Sequence, residues 1–106
     1  MTNIKQNDLI QSVADAFQFI SYYHPKDFIS AMGKAYDLEQ GAAAKDAIAQ
    51  ILTNSRMCAE GHRPMCQDTG IAVVFLKIGM NVQWGDATMS VTDMVNEGVR
   101  RAYMNP

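Results

Sequence analysis

Arg63-Pro64-Met65-Cys66-Gln67-Asp68-Thr69-Gly70 stands where two kinds of sequence meet, with helical periodicity before it and a β-branched apolar run after it. Pro64 and Gly70 interrupt regular structure around a thiol, an amide, a carboxylate and a hydroxyl that follow one another directly. Turn-forming residues flanking a dense set of reactive groups describe a loop that carries chemistry on a regular scaffold.

Towards the N-terminus, from Asp8 to about Tyr22, residues Leu9, Ile10, Val13, Ala14, Phe17 and Ile20 recur at helical spacing, and Asn7 stands where a cap is useful. His24-Pro25 ends that helix, because the residue before a proline avoids the α region while the proline suits the first turn of a new helix. The second helix is expected to reach about Leu38, with Phe28, Ile29, Met32, Ala35 and Tyr36 on its apolar face. Gln40-Gly41 stops it with a glycine free to take positive φ. A third helix, Ala42 to Asn54, lines one side with Ala44, Ala47, Ile48, Ile51 and Leu52.

In the other direction, Ile71-Ala72-Val73-Val74-Phe75-Leu76-Lys77-Ile78 has the composition of a strand buried on both faces. Gly79-Met80-Asn81 is expected to turn it into Val82-Gln83-Trp84, making a short hairpin. Ser90-Val91-Thr92-Asp93 resembles a capping box, and the helix it opens carries Val91, Met94, Val95, Val99 and Ala102 to about Tyr103. Met104-Asn105-Pro106 offers neither a glycine cap nor a polar tail, so the sequence reads as cut. The expected fold class is α+β: a helical N-terminal half of about three helices, the site loop, a short β-hairpin and a C-terminal helix. Residues 1–106 are expected to form a single N-terminal fragment of a larger domain.

The chain's 106 residues, 48% of them apolar, with a net charge of -2, suit one soluble domain with a modest core. Charges of both signs are interspersed and no basic cluster exceeds Arg100-Arg101, which argues against a nucleic-acid partner. The polar start, Met1 to Gln6, lacks the basic and apolar regions of a secretory signal, and the run from Ile71 to Leu76 is too short to cross a bilayer. A cytoplasmic protein without membrane partners is expected, with Cys58 and Cys66 reduced.

Several chemistries fit the loop taken by itself. Cys58, His62 and Cys66 are spaced by four, so one continuous helix would align three zinc ligands, although Gly61 and Pro64 oppose such a helix. Asp68-Thr69-Gly70 spells the aspartic-protease tripeptide, but Met65-Cys66-Gln67 leads into it instead of an apolar strand. The plainest alternative is a turn before a strand, with Asp68 taking local N–H bonds and Cys66 buried as a small hydrophobe. His24, at a helix junction, is expected to be structural or solvated.

Cys66-Gln67-Asp68-Thr69-Gly70, its approach from Asn54 to Pro64 and its exit into Ile71-Ala72-Val73-Val74 closely resemble the class I, iron-sulfur-dependent fumarate hydratases and the related L-tartrate dehydratase α chains. Gly98-Val99-Arg100-Arg101-Ala102-Tyr103 is similar to the same family. The resemblance implies that Cys66 is one of three cysteines holding a [4Fe-4S] cluster in the full-length parent. Gln67 and Asp68 are then substrate contacts for a small dicarboxylate, with Asp68 also the candidate acid/base, while Thr69 and Gly70 shape the turn. It implies a homodimeric parent that interconverts fumarate and L-malate, in the tricarboxylic acid cycle, with the isolated fragment inactive. The alternatives are an L-tartrate dehydratase α chain and a non-catalytic helical interaction module that pairs through its exposed apolar strand.

Overall fold

The computed structural model describes residues 1–65 and 70–105. Its elements, in order, are β1 (Thr2–Asn3), α1 (Gln6–Tyr22), α2 (Lys26–Leu38), α3 (Ala42–Gly61), β2 (Val82–Gln83) and α4 (Val91–Met104). The expected α+β class, dominated by helix with a short sheet, holds. Two compact units are present, one of Met1–Phe19 with Asp68–Pro106 and one of Ile20–Gln67.

In the unit that joins the two chain ends, α1 buries Ile10, Val13 and Ala14, three of the positions that its periodicity marks as apolar. α4 buries Met94, which is fully enclosed, and Gly98 one turn later. A Cβ on Gly98 would lie 2.6 Å from Val13 Cβ and 2.7 Å from the Ile10 carbonyl oxygen, so only glycine fits between the helices. Polar bonds join the same two helices. Gln18 Nε2 donates to the carbonyls of Ala102 and Asn105 at the C-terminal end of α4, and Arg101 donates to Asn7 Oδ1 at 3.1 Å.

Asn7 therefore binds α4 and does not cap α1. The first free amide of α1, on Gln6, instead donates to the carboxylate of Asp86 at 2.9 Å, and Gln6 Oε1 accepts from the Thr88 amide at 2.8 Å. A cap supplied from 80 residues away cannot be read from local spacing. At α4 the local signal holds, and Ser90 accepts the Asp93 amide at 3.1 Å.

The expected hairpin is replaced by a different pairing. β1 and β2 form a two-stranded parallel ladder with Thr2 opposite Val82 and Asn3 opposite Gln83. Thr2 donates to Asn81, Ile4 to Gln83, and the Gly85 amide donates to Asn3 Oδ1, so β2 takes the N-terminal residues as its partner. The turn is present, with Val82 donating to the Gly79 carbonyl, but residues 71–78 carry no ladder. Ile71 is 72% exposed and Phe75 94% exposed, whereas a strand of this composition requires cover on both faces.

In the second unit, α2 and α3 form a helical pair joined at Glu39–Gly41, where Glu39 Oε1 accepts the amides of Gln40 and Gly41. Gly41 sits at φ -74°, so the positive φ expected there is not used. α3 runs seven residues beyond the expected end at Asn54. Its shielded side also differs from expectation: Ile48 and Leu52 are half-buried and Ser55 and Cys58 buried, while Ala44, Ala47 and Ile51 are exposed. α2 has no fully buried residue. Lys45 places its ammonium 4.4 Å from the Tyr36 ring centroid, a half-buried cation-π contact across the pair.

His24 confirms its structural role. Its ring stacks on Phe28 at 4.3 Å, and its Nδ1 lies 2.8 Å from the hydroxyl of Ser55, the buried polar residue of α3.

Three variants test this architecture. Gly98→Ala forces a methyl group into backbone and Val13, and is expected to cost about 1–3 kcal/mol of stability in urea unfolding. Ser55→Ala strips His24 of its partner and is expected to cost about 1 kcal/mol by the same measurement. The Arg100 and Arg101 guanidiniums lower the Glu97 carboxyl from an ordinary 4.5 to about 2 by donating hydrogen bonds to it. A lowered folded pKa gives stability that is present above the ordinary value and lost as pH falls from about 4.5 towards about 2. Glu97→Gln is expected to flatten the thermal-midpoint profile over that window, modestly, because solvent screens the site.

Candidate functional site

The site loop leaves α3 through a tight reversal. α3 ends at Gly61, and His62 takes φ 50° and ψ 49°, the left-handed conformation usually filled by glycine at a helix C-terminus. The amides of His62 and Arg63 both donate to the Cys58 carbonyl, which closes the last turn. A side chain in this conformation carries a strain of about 1 kcal/mol or more.

Aromatic contacts surround that strained residue. The His62 ring stacks on Tyr22 with 5.5 Å between centroids and 18° between planes, and meets Tyr23 edge-on at 6.2 Å. His62 Nε2 lies 3.2 Å from the Tyr23 hydroxyl. Met65, three residues on, donates its amide to the Ser21 carbonyl at 2.9 Å and is itself buried. Both ends of residues 62–65 are thus held by Ser21, Tyr22 and Tyr23.

The expected site residues Cys66, Gln67 and Asp68, with Thr69, lie outside the described residues. Gly70 is described and sits at φ 91°, where a side chain would be strained, in keeping with its expected part in a turn. The zinc arrangement required one helix through Cys58, His62 and Cys66; α3 stops at Gly61, which removes that common face. Among the described residues no three His, Cys, Asp or Glu side chains gather as a metal site needs.

Cys58 is buried at 4% exposure with its thiol 3.7 Å from Asn54 Oδ1, a structural position. A cluster that takes three cysteine ligands does not fit a chain with two, one of them turned to Asn54.

Beside the site's approach, an open cleft of about 460 Å³ is lined by Tyr23, His24, Ile29, Leu52, Ser55 and Arg56, among others. Arg56 reaches Glu60 only at 4.0 Å on the surface. No helix among the described residues is long and apolar enough to cross a membrane.

Sequence reasoning missed Ser21, Tyr22, Tyr23 and His62 as a group. Its one available signal was the continuation of spacing from Leu52 through Ser55 to Cys58 and Ala59, which extends α3 to the edge of the loop and brings His62 to its end.

Residues 10–106 match the family described as Fumarate hydratase (Fumerase). A Methanocaldococcus jannaschii chain, provisionally named L(+)-tartrate dehydratase subunit alpha, is 34% identical over 90 residues, covering 85% of this chain and 31% of that relative. The L(+)-tartrate dehydratase subunit alpha of Escherichia coli is 30% identical over 73 residues, covering 69% of this chain and 24% of its own. A Shigella sonnei protein of the same name matches to the same extent. This chain spans less than a third of the length of these relatives. With the match running through the loop and both flanking regions, the chain belongs to the Fumarate hydratase (Fumerase) family.

Proposed function

We propose that this chain is the N-terminal part of an iron-sulfur hydro-lyase that adds water to fumarate to give L-malate, and reverses that reaction. Cys66-Gln67-Asp68-Thr69-Gly70 inside the family match is the single observation that carries this function. Cys66 contributes one ligand to a [4Fe-4S] cluster whose other ligands come from outside these residues, so the chain alone holds an incomplete site. Gln67 and Asp68 are its substrate contacts.

Their chemistry suits a four-carbon hydroxy acid. An amide can donate to a substrate carboxylate and accept from a hydroxyl, and a carboxylate can take the hydroxyl's hydrogen bond or exchange a proton with the reacting group. Hydration forms one C–O and one C–H bond across the double bond, so one positioned acid/base must handle a proton at each turnover; Asp68 is assigned to that work. The parent is placed in the cytoplasm as a homodimer, with a small dicarboxylate as its ligand.

An L-tartrate dehydratase α chain is the alternative to the fumarate reading, supported by the relatives quoted above, which carry that name. A non-catalytic helical module that pairs through residues 71–78 is the rival from another class, favoured by their exposure.

The 106-residue chain, reconstituted anaerobically with iron and sulfide, is expected to turn over neither fumarate nor L-tartrate, and substantial activity would overturn the incomplete-site assignment. In a full-length parent, Asp68→Asn is expected to lower turnover by about a hundredfold or more, in the range of a lost general acid/base. Retained activity there removes Asp68 from the chemistry. A parent that dehydrates L-tartrate and ignores fumarate selects the second substrate. A chain that dimerises in light scattering and has no activity in any longer form selects the module.

A further inference from the structure

We propose, resting on the reading above of this chain as the N-terminal part of a longer parent, that residues 71–78 are the docking surface for a β-strand of the parent's own downstream region. That strand pairs with their backbone and brings apolar cover to the face of Ile71, Val73 and Phe75. Seven of the eight residues, all but Lys77, are apolar. Their exposure alternates along the run: Ile71, Val73 and Phe75 are 72%, 62% and 94% exposed, whereas Val74, Leu76 and Ile78 are 38%, 47% and 42% exposed. A period of two belongs to an extended segment, whose successive side chains point to opposite faces.

The better-covered face leans on its own unit. Leu76 and Ile78 share a cleft of about 280 Å³ with Ile4, Leu9, Val82 and Trp84. The opposite face is open, and among the described residues the run has no ladder partner. What it lacks is therefore specific: a hydrogen-bonding neighbour along the backbone, and apolar cover over Ile71, Val73 and Phe75.

Chain length favours the parent's own polypeptide as the occupant. The matched residues make up less than a third of the relatives quoted above, so most of each relative lies outside the match. A second copy of this chain fits less well. It would add one neighbour and leave a two-stranded ribbon, marginal in water, with apolar faces still bare. Strands apolar on both faces occur inside sheets whose crossover connections run within one chain.

The test follows amide hydrogen exchange over 71–78 by mass spectrometry in the 106-residue chain and in the full-length parent, each at several protein concentrations. The parent is expected to exchange there about a hundredfold or more slowly than the chain, with neither rate depending on concentration. Phe75→Asp is expected to leave the thermal midpoint of the 106-residue chain unchanged, because the position is already exposed. In the parent the same change is expected to lower the midpoint and to speed exchange over 71–78 by roughly tenfold or more. The wild-type comparison decides the question even where that variant does not fold.

Equal exchange in the two proteins would overturn the proposal, and so would a parent that accepts Phe75→Asp without change. Protection in the 106-residue chain that grows with its concentration would put a second copy in place of the downstream strand, and overturn it too. None of these readouts involves iron or substrate. A parent that protects 71–78 and hydrates nothing counts against the function alone, and an active parent with 71–78 unprotected counts against the docking surface alone.

Discussion

At Gly98 the α1 and α4 backbones come so close that one added carbon would overlap both Val13 and the Ile10 carbonyl, and the unit formed by the chain ends depends on that approach. Glycine inside a helix costs about 1 kcal/mol relative to alanine, so local propensity opposes it here. The opposing gain is close packing, with Met94 sealed one turn away and dispersion contacts gathered at short range. Polar partners then follow the same two helices. Gln18 closes the carbonyl end of α4, Arg101 reaches Asn7, and Asp86 and Thr88 hold the start of α1 through Gln6.

The second unit is stabilised differently. Its helical pair buries little apolar surface, as the unburied α2 and the exposed Leu38 and Met57 show. Order there relies on satisfied polar groups and ring contacts: Ser55 with His24, His24 on Phe28, His62 between Tyr22 and Tyr23. Such contacts are directional, which area burial is not, and a directional contact can hold four backbone residues in place where a small core cannot. The entrance to the site loop is held in this way.

Helices were legible in the sequence because their determinants are local. The stripe of Ile10, Val13 and Ala14, the break at His24-Pro25 and the Ser90 cap each act within a turn or two, and the structure carries all three. Whatever depended on residues far along the chain was not legible: the Asp86 cap of α1, the close approach at Gly98 and the pairing of β1 with β2. At the candidate site, Cys66, Gln67 and Asp68 lie outside the described residues and remain a reading of residue types, while the ring contacts of His62 were hidden because Tyr22 and Tyr23 lie about forty residues upstream.

Residues 71–78 show how the same limit works in reverse. Their β-branched composition expresses a preference of at most about 1 kcal/mol per residue, and that preference itself derives from packing against neighbouring strands. A ladder needs a partner strand, and the nearest arm, Val82–Gln83, is paired with Thr2–Asn3 and not with residues 71–78. Bonds from Thr2 to Asn81, Ile4 to Gln83 and Gly85 to Asn3 reinforce that choice. Without a ladder partner among the described residues, the apolar run keeps the composition of an inner strand and the exposure of a loop. Strand character read from sequence is thus a demand on the surroundings, and for residues 71–78 the described residues do not meet it.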